Sequence, residues 1–489
     1  MLFNCMLSHG IAPDELLLGT MIPLIKDSRG RKHCSDNYRA LTIGTGLSKL
    51  LDVVIRNKQI DALKTSNLQF GFKTKSSTTM CTFAVLETVE YYKKNGSNVH
   101  ALLLDASKAF DRVNYIKLFE KLLEKGMCPL TVRLLLNMYV EQKLQVKWND
   151  ILTDKFDVTN GVRQGGVLSP LFYSIYIDDL LERLKRNGIG CHIGHHFVGV
   201  FGYADDIILL CPSVTGLMKM IRICEEYANE HDILFNGKKS KYLVFGNNGR
   251  YKINHIVKVN NEVVNRCEKA DHLGHPLHTE NTTEALAEKG LDNLNASYHM
   301  FMTRFRGCNA TTRNKLFHQY CSSMYGSQLW LLNSKEVDKV LSRWRKYHRV
   351  ILEVPNTTHC DLLPIISDRL PLRCTLDLKY ISFFRSIATS ENAIIKYMTK
   401  HMLNSNTSTL CRIMKYICYK YKVSMEDILI KSTGRIRKEV YNNWFSGINP
   451  EYSTYANVIK DMLGIKEERY SRIFSNDECN FFIEFLCTV

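Results

Sequence analysis

Short apolar runs separated by polar turns fill the chain to about residue 280, and helical periodicity dominates from about residue 281. In LSKLLDVVIRNKQI (47–60), Leu47, Leu50, Leu51, Val54 and Ile55 recur at helical spacing and predict one apolar helix face. VHALLLD (99–105) is a short apolar run ending in an acid, the pattern of a buried strand. YIKLFEKLLEKG (115–126) predicts an amphipathic helix stopped by Gly126. QKLQVKW (142–148) alternates apolar and polar residues, and the following NDI turns the chain toward KFDV, which predicts a hairpin. SPLFYSIYIDDLLERLKRNG (169–188) predicts a helix with Ser169 as N-cap, Pro170 in its first turn and Gly188 at its end. VGVFGYADDIILLCP (198–212) places a polar pair between two apolar runs, and 214–232 predicts a further helix. KYLVFG (241–246) and VKVNNEVV (257–264) read as strands.

The composition fits this layered pattern. The 489 residues are 45% hydrophobic and 23% charged, with only 10 Pro and 27 Gly, as expected of two to four globular domains and not of a long low-complexity tract. No window approaches 18 uninterrupted apolar residues, and no basic segment precedes the first apolar ones, so neither a membrane span nor a secretory signal is expected. The 16 cysteines form no CxxC pair and are expected to be reduced, mostly small core residues. Lys and Arg number 65 against 49 Asp and Glu, an excess of +16 that suits a polyanionic partner. Residues 300–350 concentrate this excess and interleave it with Trp330, Trp344, Phe305, Phe317, Tyr320, Tyr325 and Tyr347; at helical spacing most of these rings are expected in a core.

The candidate chemistry lies in three carboxylates. Asp105 ends the 99–105 strand, and Asp205 and Asp206 occupy the turn of FGYADDIILL. An Asp pair between apolar strands by itself marks a turn. A third carboxylate from a neighbouring strand makes a hard-oxygen site suited to Mg²⁺. Tyr176-Ile177-Asp178-Asp179 repeats the Y-x-D-D pattern, but within a helical stretch, where adjacent side chains diverge by about 100° and cannot share one metal. Asp178 and Asp179 are therefore expected to be helix-surface or structural carboxylates.

Taken in order, LLLDASKAFDRVNY, GVRQGGVLSPLFYSIYIDDLL and FGYADDIILL resemble the reverse transcriptases of non-LTR (LINE-type) retrotransposons. NYRALTIGTGLSKLLDVVI and LQFGFKTKSSTT upstream, and FNGKKSKYLVFG and HLGHPL downstream, extend the resemblance over about residues 20–280, and SSMYGSQLW with RWRKYHRVILEVP continues it. It implies an α+β chain: a right-hand polymerase with an α/β palm, fingers and a thumb, then a mainly helical C-terminal region. The expected divisions are an extension over 1–35, fingers and palm over 36–280, a helical thumb over 281–355 and a helical region of unassigned role over 356–489. The implied activity is RNA-directed DNA polymerisation, with two Mg²⁺ (or Mn²⁺) held by Asp105, Asp205 and Asp206, an RNA template, a DNA primer and dNTPs. A catalytically inactive nucleic-acid-binding remnant, or a protein like a group II intron maturase, is the alternative.

The resemblance also implies the remaining roles. Phe110 packs under the sugar and excludes a 2′-hydroxyl. Gln164 and Gly165 border the nucleotide or templating base. Arg39 and Lys73 grip the triphosphate, although Ala40 and Lys73 stand where the family usually has Pro and often has Arg. Lys239 protonates the leaving pyrophosphate, with Lys238 and Lys241 close in register. Leu273 and Gly274 form the turn that supports the primer end. The sets Cys191, His192, His195, His196 and His272, His275, His278 have metal-like spacing, but each lacks the second pair of a closed zinc site. The Cys/His segment that often ends such proteins is not expected here, nor is an upstream endonuclease domain, since only 104 residues precede Asp105.

Overall fold

The computed structural model describes residues 1–246, 255–405 and 408–447. Among the described residues two units emerge: one lies within 1–286, 328–330 and 383–416, the other within 287–327, 331–382 and 417–447.

The first unit is built on two sheets. Its central one runs Asn265–Arg266, Lys241–Phe245, Val99–Leu104, Asp206–Cys211, Val200–Tyr203 in spatial order. Val99–Leu104 lies in the middle, antiparallel to both long neighbours. Its residues are apolar because both faces are covered: helices Thr78–Lys94, Ser169–Asn187 and Val214–Glu230 pack on the sheet, and Leu102, Ile208, Leu209 and Leu210 are fully buried. Burying such side chains contributes about 1.5–3 kcal/mol each. Ser213 caps the third helix by accepting from the Gly216 N–H at 3.1 Å.

The second sheet orders Tyr38–Gly44, Leu18–Ile25, Lys143–Trp148 and Ile151–Leu152, with Phe156–Asp157 also on Lys143–Trp148. The hairpin expected after residue 142 is present. Leu18–Ile25, expected to belong to an N-terminal extension, is instead an inner strand, antiparallel to Tyr38–Gly44 and parallel to Lys143–Trp148.

Three local expectations are corrected. The helix Gly46–Lys58 buries only Leu51 and Ile55 of its apolar face; Leu47, Leu50 and Val54 are exposed. Ser169 is the first helical residue, not the cap, because its hydroxyl is buried beside Tyr139; Leu168 precedes the helix without a side-chain cap. VKVNNEVV is a hairpin, Lys258–Val259 with Glu262–Val263, since Asn260 and Asn261 both take φ near +49° and +62°. Paired positive φ values at Asn suit such a two-residue turn.

The second unit is helical. Ala310–Tyr320 packs on Lys335–Leu352, burying Phe317, Trp344, Tyr347 and His348. Trp344 and Tyr347 are core, as their spacing implies, and Trp344 Nε1 donates to Ser322 Oγ at 2.9 Å. Arg349 donates to the Thr358 carbonyl at 2.8 Å and is a structural tie, whereas Arg343 and Lys346 are exposed. Asp377, fully buried, accepts from Lys420 Nζ and Tyr421 Oη, both at 2.7 Å. The described cysteines are free thiols, among them buried Cys81, Cys191, Cys211 and Cys224. Among the described residues no helix is long and apolar enough to cross a membrane.

Candidate active site

Strand register assembles the carboxylates. Ile207 pairs with Leu104, and Asp206 pairs with Tyr203 across the hairpin. Each antiparallel ladder therefore reaches its end where Asp105, Asp205 and Asp206 stand. Only Ala204 and Asp205 lie between the paired residues Tyr203 and Asp206, so the reversal is a two-residue turn. Ala204 takes φ +56°, the left-handed region that disfavours a residue with a Cβ. Beyond its strand, the backbone of Asp105 is pinned to the FNGKKS loop: its N–H donates to Ser240 Oγ at 3.1 Å and its carbonyl accepts from Asn236 N at 2.9 Å.

The electrostatics are those of crowded like charges. Burial raises the Asp205 carboxyl above its ordinary range, Asp105 adds to the rise, and Arg39 opposes it. Asp206 is exposed as a residue, yet desolvation of its carboxyl, then Asp205 and Asp105, push it up to about 6. No three His, Cys, Asp or Glu side chains among the described residues converge into a ready metal site. Three carboxylates at one sheet edge, with Arg39 opposing the rise at Asp205, fit a Mg²⁺-like ion in chemistry and charge.

The second Y-x-D-D behaves differently. Asp178 is buried and accepts from the Ser66 N–H at 2.8 Å and the Ser66 hydroxyl at 2.7 Å, with Lys125 3.8 Å away. Asp179 pairs with Lys121.

Phe110 is half-buried and stacks on Tyr173, ring centroids 4.8 Å apart. The Tyr173 hydroxyl is buried without a hydrogen-bond partner, and burial, Asp205 and Asp206 raise its pKa, which places it near the carboxylates. Gln164 is held by backbone and side chain: its backbone carbonyl accepts from Thr42 N at 2.6 Å and its side-chain Nε2 donates to Asp111 Oδ1 at 3.0 Å. Gly165, at φ +110°, is required there because a Cβ would lie 2.7 Å from the Thr42 carbonyl oxygen. The glycine thus permits close approach to the Tyr38–Gly44 strand, where the expectation was approach to a ligand.

The cations divide. Arg39 is exposed on Tyr38–Gly44 and its charge reaches Asp205. Lys73 turns elsewhere: its ammonium donates to the Thr65 and Ser66 carbonyls, and burial lowers its pKa to about 8. The ammonium expected to grip the triphosphate is thus engaged by backbone carbonyls. Lys238 lies 3.5 Å from Glu262, while Lys239 is exposed and its charge reaches Asp36. Lys108, unassigned by the sequence, is 3.2 Å from Asp36 at φ +50°. Its place three residues after Asp105 was the available signal.

The histidine sets have other engagements. His192 Nδ1 lies 3.1 Å from the Gly190 carbonyl, and His196 packs on Tyr397. His272 is buried with neither ring nitrogen hydrogen-bonded, which depresses its pKa to about 3. The turn between His272 and His275 carries Leu273 and Gly274 at φ +52° and +78°.

A groove of about 720 Å³ opens beside these elements, lined by Arg56, Lys64, Lys73, Lys75 and the exposed ring of Phe72, and by none of the three carboxylates.

Residues 26–277, which carry all three carboxylates, match the family described as reverse transcriptase (RNA-dependent DNA polymerase). The chain belongs to the reverse transcriptase family. The Pol polyprotein of the type-1 retrotransposable element R2 of Popillia japonica is 24% identical over 275 residues, 55% of this chain and 38% of that protein. The RNA-directed DNA polymerase from mobile element jockey of Drosophila funebris is 25% identical over 333 residues, 65% of this chain and 34% of that protein. The chain thus spans little more than a third of either relative's length. Both relatives are proteins of mobile or retrotransposable elements. Among solved structures, apo telomerase from Candida tropicalis aligns with a TM-score of 0.44 at 11% identity, over 87% of this chain and 69% of that one. In this reverse transcriptase the Val99–Leu104 sheet is the palm of an α+β right-hand polymerase.

Proposed function

We propose that the chain is an RNA-directed DNA polymerase that adds dNTPs to a primer 3′ end on an RNA template. The observation that carries this reading is the register that sets Asp105 at the same sheet edge as the Asp205–Asp206 turn, inside the segment that matches the family. Asp105 and Asp205 would be the main ligands of two Mg²⁺ ions, for which Mn²⁺ substitutes, with Asp206 more peripheral. Such ions supply charge neutralisation at the attacking and leaving oxygens of a phosphoryl transfer.

The chain's own residues do the rest. Arg39 faces the carboxylates from the second sheet and suits the incoming triphosphate. Lys239 is exposed and is the candidate to protonate pyrophosphate, Lys238 having Glu262 as its partner. The Phe110 ring, backed by Tyr173, forms a flat floor that leaves no room for a 2′-hydroxyl. Gln164 has its amide on Asp111, so its loop rather than its side chain borders the nucleotide. The groove beside Phe72 suits a single-stranded template, with phosphates on Arg56 and the exposed Lys64 and Lys75 and a base on the ring. The exposed cations Arg343 and Lys346 of the helical second unit suit the backbone of the template–primer duplex as a thumb over 281–355.

Primer extension on a homopolymer RNA template with a DNA primer tests this reading. Mg²⁺-dependent incorporation of the complementary dNTP supports it. Duplex binding by folded chain without incorporation would instead make the protein a nucleic-acid-binding remnant.

A further inference from the structure

The segment LQFGF (68–72) lies against the carboxylate turn. Gly202 N donates to the Leu68 carbonyl at 2.9 Å, and Phe70 N donates to the Gly202 carbonyl at 2.7 Å. Between these bonds sits Gln69, with no exposed surface. Its Oε1 accepts two backbone amides at 2.9 Å each, Gly71 N and Ala204 N. Its Nε2 is buried with no partner. Gly71 fits so closely that a Cβ would lie 2.6 Å from Ala204 N. Ala204 is the left-handed residue of the turn, at φ +56°. A chain of bonds leads backward from Gln69: Leu68 N reaches Ser66 Oγ at 3.3 Å, and Ser66 is held by buried Asp178.

We propose that Gln69 is a positioning residue for the polymerase site. Its carbonyl oxygen fixes the Ala204 amide and so holds the strained turn that presents Asp205 and Asp206, while Asp178 anchors the loop that carries Gln69. The choice of side chain supports this. Methionine fills a similar volume without stranding a buried amide nitrogen, an arrangement that costs stability. What glutamine adds is one acceptor for two amides that otherwise face a dry interior. Glutamate also offers an acceptor, but brings a buried charge beside Asp205. The Y-x-D-D on the palm helix thus acts on its counterpart at a distance, through Ser66 and Gln69.

Only the kinetic consequence of this inference rests on the polymerase reading; the clamp itself is tested without it. Hydrogen exchange, followed by mass spectrometry on the full chain without nucleic acid, reads the Gly71 and Ala204 amides directly. Gln69→Met should speed exchange in the peptides covering 66–73 and 200–207 at least tenfold, about 1.4 kcal/mol for a lost hydrogen bond, and leave 99–104 unchanged. The kcat on saturating template should fall at least tenfold, with the KM for dNTP within about twofold, because the ligands are misplaced while the nucleotide pocket persists. If Gln69→Met does not fold, Gly71→Ala and Asp178→Asn carry the same readouts, each with faster exchange at Ala204. Folded variants with wild-type exchange at Ala204 overturn the proposal, as does faster exchange with an unchanged kcat. If the wild type incorporates no dNTP, the polymerase reading fails and exchange alone decides whether Gln69 holds the turn.

Discussion

Tyr176-Ile177-Asp178-Asp179 and Tyr203-Ala204-Asp205-Asp206 share a pattern and differ in every physical respect that matters to function. The first lies on a helix that buries Ile177 and Asp178. There Asp178 receives two hydrogen bonds from Ser66, and Asp179 a lysine. The second lies in a two-residue turn whose acids face a third acid. One pair of carboxylates is satisfied by hydrogen bonds and a lysine, and the other stands among like charges, with Arg39 opposing them at Asp205. A shared tetrapeptide therefore says little until its backbone conformation is known.

The largest expected contrast is catalytic. Asp205→Asn should lower dNTP incorporation about a thousandfold, since charge stabilisation by a metal is worth several kcal/mol. It should not lower the melting temperature, because it removes a charge from a repelling cluster. Asp178→Asn should reverse the weighting. Its amide cannot accept both Ser66 bonds, so it should lose about 1–3 kcal/mol of stability and a smaller share of activity, acting through the loop that carries Gln69. Single-nucleotide incorporation beside thermal denaturation of both variants checks this pair.

Glycine substitution sharpens the backbone half of the contrast. Ile177→Gly removes a fully buried side chain from a helix and should destabilise by about 4 kcal/mol or more. Ala204→Gly relieves φ +56° and should be neutral or stabilise by up to about 1 kcal/mol. Urea unfolding gives both values, and equal losses would mean that the turn is not strained.

The helix bearing the first pair also carries Tyr173, which backs Phe110. Phe110→Ala should admit ribonucleotides, lowering the dNTP-over-rNTP ratio of kcat/KM by about 10- to 200-fold, the range of a steric pocket contact. Competition assays with matched dNTP and rNTP measure it; an unchanged ratio would assign Phe110 to packing alone.

A third treatment of a carboxyl, seen at half-buried Glu87, is neutralisation. Burial, then Glu90, raises Glu87 from 4.5 to about 8, while its Oε1 accepts from Ser408 Oγ at 2.7 Å. The folded protein thus holds this proton more tightly than the unfolded chain. Its contribution is fully present below pH 4.5 and is lost as pH rises through about 8. Glu87→Gln should gain on wild type across that window, by an amount on the order of a few kcal/mol at its upper end. Melting temperatures of both proteins at several pH values test the sign.

Much of the palm was legible because its signals are local. An apolar run ending in Asp105, an Asp pair between apolar runs, and a Ser-Pro start with a Gly stop each declare an element by themselves. The parts that escaped depend on adjacency across the chain. Leu18–Ile25 becomes an inner strand only because Lys143–Trp148 arrives beside it. Lys73 has the composition of a phosphate ligand, and only the fold shows its ammonium on the Thr65 and Ser66 carbonyls. Gln69 reads as one polar residue in an apolar segment until Gly202 is found alongside it. The helix face of Leu47, Leu50 and Val54 follows the helical period, but periodicity predicts which residues align and not whether anything covers them.

Electron paramagnetic resonance of bound Mn²⁺, with template–primer present, tests the central contrast most directly. Wild type and Asp178→Asn should both bind the ion, and Asp205→Asn should lose it at the same free concentration. Retention by Asp205→Asn together with loss by Asp178→Asn would contradict the account and move the metal site to the palm helix.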